Sequence, residues 1–194
     1  MCYIDNIPIV LLDLTYINIF FMAFYHIITD LFTGTKRPSA ETPILQAEEV
    51  EQTILAVNRK MAPFQVRKTT SDEPGDLVAE WKIVDAKWYE IFAKAGLKST
   101  FRIYMHFDDV NKEVHAMDRE FNVAWKAGVP TLSMRATAFQ GQKQSVEFST
   151  AYAFQEEGGM GEVYKYRFST GEIKKLLHKA VTESGWTYRG VIKL

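Results

Sequence analysis

The chain has a single cysteine, Cys2, so it can form no disulfide within itself, which fits a reducing compartment. No Asn-x-Ser/Thr acceptor occurs, and no Lys or Arg precedes Lys36, so the positive n-region of a secretory signal is missing. The chain also lacks Gly-x-Ser-x-Gly, His-Glu-x-x-His and Cys-x-x-Cys, and Cys2 has no identified base, so neither a nucleophile elbow nor a compact metal motif is present. With only 6 Pro against 13 Phe, 9 Tyr and 4 Trp, the composition argues against disorder. Net charge is −1, and no global field draws the chain to nucleic acid or acidic membranes. The balance is uneven, however. The stretch 161–194 holds seven Lys/Arg against three Glu.

What is present first is a long apolar run, Ile7 to Phe32. From Ile7 to Ile28 its only formal charge is Asp13. Thirteen of those residues are Ile, Leu, Val or Phe, contributing roughly −4 to −8 kcal/mol to insertion, against about +3 for a central Asp. Length and energy therefore allow a membrane span. Lys36 and Arg37 would leave the following domain on the cytoplasmic side. Against a span, Thr15, Asn18, His26, Thr29 and Asp30 share a helical sector of roughly 120°, which suits a helix on a sheet, on a partner or at an interface. Met22 and Met61 offer later starts, so the segment can also be incidental to the domain. The organisation expected is a hydrophobic N-terminal helix over 1–33, a linker over 34–44 rich in turn formers, and one globular domain over 45–194.

Within that domain Ala47, Val50, Ile54, Val57 and Met61 make a helical stripe, with acids at its start and bases at its end. From Phe64 the pattern turns to short β runs; after Asp85, Trp88, Ile91, Phe92 and Ala95 share one face of a short helix, although the same stretch also reads as a strand. Short connections between the later runs favour an antiparallel meander. Near the end, Ser169 and Glu172 have capping-box spacing, and Ile173, Leu176, Leu177, Ala180 and Val181 form an apolar face. Gly185 stops that helix and "WTYRGVIKL" returns as a strand. The fold class expected is α+β, a single twisted antiparallel sheet with the C-terminal amphipathic helix on one face.

"DLVAEWKIVDAKWYEIFAKAG", "YRFSTGEIKK" and "GWTYRG" resemble a group of uncharacterised bacterial proteins, over Asp76 to Leu194. The resemblance implies a cytoplasmic bacterial domain and assigns no activity.

Three candidate sites follow. If Asp108 pairs with Glu113 across the turn "DVNK", His106 lies opposite His115, and two imidazoles with two carboxylates suit zinc or another divalent cation. A one-residue slip would separate the histidines, and the bland reading is a solvated hairpin face. Lys174, Lys175 and Lys179, with His178, form a basic face on the last helix that suits nucleic acid or anionic lipid. The bland reading there is a solvated helix surface. The run "QEEGGMGE" reads as a glycine-rich turn, because a strand follows it and its glutamates repel phosphate. The leading expectation is a non-enzymatic binding or interaction module with no cofactor, acting on a protein partner or a second copy through its sheet face or last helix. A metal-binding protein or metal-dependent enzyme is the second reading, and nucleic-acid or lipid contact the third.

Overall fold

The computed structural model describes residues 30, 33–60, 62–85, 88, 92–93, 97–139, 146–154 and 164–194. The apolar segment up to Phe32, Asp30 apart, and the Gln155–Glu162 turn lie outside them. No helix among the described residues is long and apolar enough to cross a membrane. The elements run α1 (Ala47–Leu55), β1 (Phe64–Lys68), β2 (Leu77–Trp81), β3 (Ser99–Asp108), β4 (Glu113–Lys126), β5 (Val129–Phe139), β6 (Val146–Phe154), β7 (Tyr164–Ser169), α2 (Thr170–Glu183) and β8 (Thr187–Gly190). The class is α+β.

Strands β1 to β5 pair in sequence order, each antiparallel to the next. Two features depart from a plain meander. Among the described residues the β6–β7 hairpin pairs only with itself, and β8 joins the main sheet parallel to β4. Strand β4 is long enough to carry two neighbours on one edge: Glu113–Ala116 face β8, and Asp118–Lys126 face β5. At its far end Ala127 and Gly128 both take positive φ (50° and 81°), closing the β4–β5 hairpin over two residues.

Alternation along the strands puts an apolar set on one face. Val66, Ala79 and Ile103 are rung partners, as are Leu77, Met105 and Ala116. These residues share one buried core with Val50 and Ile54 of α1 and with Ile173, Leu177, Ala180 and Val181 of α2. Trp81 makes edge-on contacts with Phe64, Phe92 and Phe101 at 6.2–6.4 Å. Trp88 and Phe92, both helical and both buried, place part of the expected short helix.

Helix α1 stops earlier than its apolar stripe suggests. Asn58 leaves the helix to pair with the β1 backbone, its amide nitrogen donating to the Val66 carbonyl (2.7 Å) and its oxygen accepting from the Val66 N–H (2.8 Å). A side chain that satisfies a strand's backbone in this way competes with helix continuation. At the start of α1 the Gln46 N–H donates to the Glu49 carboxylate (3.0 Å), half of a capping box.

The expected linker is tied to the domain. Lys36 and Tyr188 exchange two backbone hydrogen bonds of 2.8 Å, and Trp186 donates its Nε1–H to the Leu45 carbonyl (2.9 Å). Gly185 has φ +76°, and a Cβ there would stand 2.4 Å from the Pro43 carbonyl oxygen. Only glycine allows both the helix stop and the close approach of the linker.

Candidate functional site

The other face of the main sheet carries a charged network beside a small apolar patch. One rung crosses four strands there: Gln65 of β1, Glu80 of β2, Arg102 of β3 and Arg119 of β4. Glu80 is buried, and its carboxylate accepts from Gln65 Nε2 (3.1 Å), Arg67 Nε (2.8 Å) and Arg102 Nε (2.7 Å). Glu73, in the β1–β2 turn, receives two bonds from Arg67 (2.6 and 2.9 Å) and a longer one from Arg102 (3.3 Å). Two arginines and two glutamates thus form a neutral network. Hydrogen bonding to Arg67 holds the Glu73 carboxyl down at about 2, and Glu73 and Glu80 raise the Arg67 guanidinium above its ordinary value. Arg67 and Glu73 are fixed in their charged forms.

Two clefts open beside the network and share Arg102. The first, about 260 Å³, has Thr100, Phe101, Ile83 and Leu132 in its lining, with Glu80 and Arg102. The Thr100 hydroxyl is buried and has no hydrogen-bond partner. An unpaired buried hydroxyl costs about 1–3 kcal/mol. The second cleft, about 280 Å³, lies between the β1–β2 turn and Tyr104, Arg119, Phe121 and Met134. Between the clefts and β8, Val191 and Leu194 cover Val78, Tyr104 and Met117.

The hairpin closes in the register that sets Asp108 opposite Glu113 and His106 opposite His115. The four side chains nevertheless do not converge. His106 Nδ1 is 2.9 Å from Asp76, whose same oxygen accepts the Phe107 N–H. His115 Nε2 is 3.0 Å from Glu113 and 4.0 Å from Asp108. Both oxygens of Glu113 also accept from Arg189 of β8 (2.7 and 2.5 Å), a fixed positive charge where a cation would have to sit. Burial works against ionising Glu113, yet Arg189 and His115 hold its carboxyl below the usual range. Among the described residues no three His, Cys, Asp or Glu side chains gather around a metal position.

The basic face of α2 is also dispersed. Lys175 and Lys179 are exposed, and Lys179 lies 3.8 Å from Glu183. Lys174 instead points inward and pairs with Asp118 of β4, with both side chains largely buried. Asp118 continues the Val66–Ala79–Ile103 rung, a carboxylate on the helix-covered face. Burial pushes it up against the pull of Lys174. His178 packs its ring on Tyr188 at 4.4 Å, and His178 Nε2 and the Tyr188 hydroxyl are buried without partners. Burial, helped by Lys36 and Lys174, lowers His178 to about 4; burial and then Asp118 raise Tyr188 well above its ordinary value.

The sequence reading missed the Gln65–Glu80–Arg102–Arg119 rung. Its one local signal is Glu80 inside "LVAEW", a carboxylate in a run in which every residue is buried. No known family model, curated protein or solved structure matches this chain.

Proposed function

We propose that the protein is a non-enzymatic binding module that takes a small ligand on the polar face of its sheet. The observation that carries this reading is the Thr100 hydroxyl, buried and unpartnered in the wall of a 260 Å³ cleft. Trp81, Ile83, Val84, Phe101 and Leu132 give that cleft apolar walls among polar groups, and such a mixture of apolar surface and placed polar groups can orient a small ligand. The neighbouring charges favour holding a ligand over turning it over. Glu80 is committed to three donors and Glu73 to two arginines, and a carboxyl held near 2 is a poor proton carrier at neutral pH.

A fragment screen read by methyl resonances tests the reading. Binding fragments shift Ile83, Val84, Thr100 and Leu132 together, and Thr100→Val weakens them by about tenfold, the worth of one hydrogen bond. Fragments that scatter over the surface, or that bind Thr100→Val equally well, refute it.

A further inference from the structure

Arg102 and Arg119 stand directly opposite each other on adjacent strands. Like charges in that position repel unless something neutralises them. For Arg102 the neutralising groups are Glu80 and Glu73. Arg119 has no carboxylate partner among the described residues. Its guanidinium lies 5.9 Å from the Tyr104 ring centroid, and its Nη1 reaches only the Met134 sulfur, at 3.5 Å. The Arg102 guanidinium is held in a similar way over Phe121, at 5.1 Å. Two guanidiniums are therefore braced by aromatic rings at the edge of the second cleft, and one lacks a counter-charge.

From this we infer that the second cleft binds a small organic monocarboxylate, its head group forked on Arg119 and its apolar body against Phe121 and Met134. The inference rests on the reading of this face as a binding face. A planar guanidinium pairs two of its N–H groups with the two oxygens of a carboxylate, and a half-buried one gains most from doing so. The charges disfavour a dianion. Arg67, Arg102, Glu73 and Glu80 cancel, and Asp72 in the same lining offsets Arg119 in the formal sum, so the cleft offers the local charge of one guanidinium, which suits a monoanion. The walls, with Tyr104, Phe121, Pro74 and Met134, suit a carboxylate attached to a ring or an alkyl body better than a bare inorganic ion.

The test is an NMR titration of the full chain with benzoate and, separately, with inorganic phosphate. It follows the arginine Nε–Hε and methionine methyl signals. Benzoate saturates shifts at Arg119 and Met134, and phosphate does not. Arg119→Gln weakens benzoate at least tenfold, and Arg119→Lys, which keeps the charge without the fork, weakens it nearly as much. Met134→Glu, at an exposed position on β5, sets a competing carboxylate beside Arg119 and weakens benzoate in a chain whose arginines are intact. Benzoate binding unchanged by Arg119→Gln and Met134→Glu overturns the inference, as does phosphate binding as tightly as benzoate. If fragments bind at Thr100 while benzoate fails at Arg119, the carboxylate assignment alone falls. If neither binds, the binding face falls with it.

Discussion

Replacing His178 with Phe isolates the most unusual titration in the fold. The ring packs on Tyr188, its Nε2 is buried without a partner, and its pKa is lowered to about 4 by burial, Lys36 and Lys174. In the unfolded chain the same imidazole titrates near 6.5. Between those values the unfolded state binds more protons than the folded one, so stability falls as pH falls. The contribution of neutral His178 is whole above about 6.5 and lost as pH drops through about 4. A shift of this size corresponds to about 3 kcal/mol, and the partly exposed ring edge reduces it to about 2. Phe keeps the ring contact and removes both the titration and the unpaired nitrogen. Urea unfolding followed by tryptophan fluorescence from pH 7.5 to 4.5 reads the difference directly. Other groups titrate in both proteins and cancel. The wild type should lose about 2 kcal/mol more than His178→Phe over that range, and the variant should be at least as stable as the wild type at pH 7.5. Parallel pH profiles would refute the reasoning, because they would mean that the imidazole takes up its proton equally well in the folded protein.

Other outcomes follow from the same physics. Lys174→Met strands Asp118 in the core and costs about 3–5 kcal/mol in chemical denaturation, while the double change with Asp118→Leu recovers most of it. Glu73 has its folded pKa depressed from 4.5 to about 2, so its contribution is full above 4.5 and lost as pH falls toward 2. Glu73→Gln should flatten the acid limb in that window by about 1 kcal/mol after allowance for solvent screening, in equilibrium unfolding at pH 5 and pH 3. Gly185→Ala forces a Cβ into the Pro43 carbonyl at a positive φ and should lower stability by about 2 kcal/mol or more, read as a drop in Tm. Equimolar zinc should leave Tm unchanged, since Arg189 occupies the Glu113 carboxylate beside His115 and His106 is turned to Asp76; a rise of several degrees that vanishes in His106→Ala/His115→Ala would contradict this.

The β runs and the two amphipathic helices were legible because burial follows simple periods: Val50 and Ile54 on one turn spacing, Val114 and Ala116 on alternation. The hairpin register was only posed as a condition, because alternation fixes the face of each residue but tolerates a two-residue slip; the structure takes the register with Asp108 opposite Glu113. Where a side chain's partner comes from far along the chain, the sequence is silent. Lys174 reads as one more lysine on a basic helix until Asp118, 56 positions earlier, is seen beneath it. Extending the alternation of Val114 and Ala116 by one step would have placed Asp118 inward and raised the question of its counter-charge. Arg189 likewise cancels the hairpin carboxylate from 76 positions away, and the parallel pairing of β8 that brings it there leaves no local pattern. The linker over 34–44 reads as solvent-exposed from its prolines and polar residues. Its backbone pairing with Tyr188 uses groups that every residue carries, so composition does not encode it.

The parallel strand β8 sets an order of events during synthesis. Until Thr187–Gly190 have left the ribosome, the Glu113–Ala116 edge of β4 has lain without its neighbour for some seventy residues of growth. An unpaired strand edge of that kind is a template for pairing with other chains. The nascent domain is therefore most prone to aggregation just before its last strand arrives. A chain cut short before Thr187 keeps the hairpin and most of the core sequence but carries that open edge permanently. It should behave as an aggregating species rather than as a slightly weaker protein.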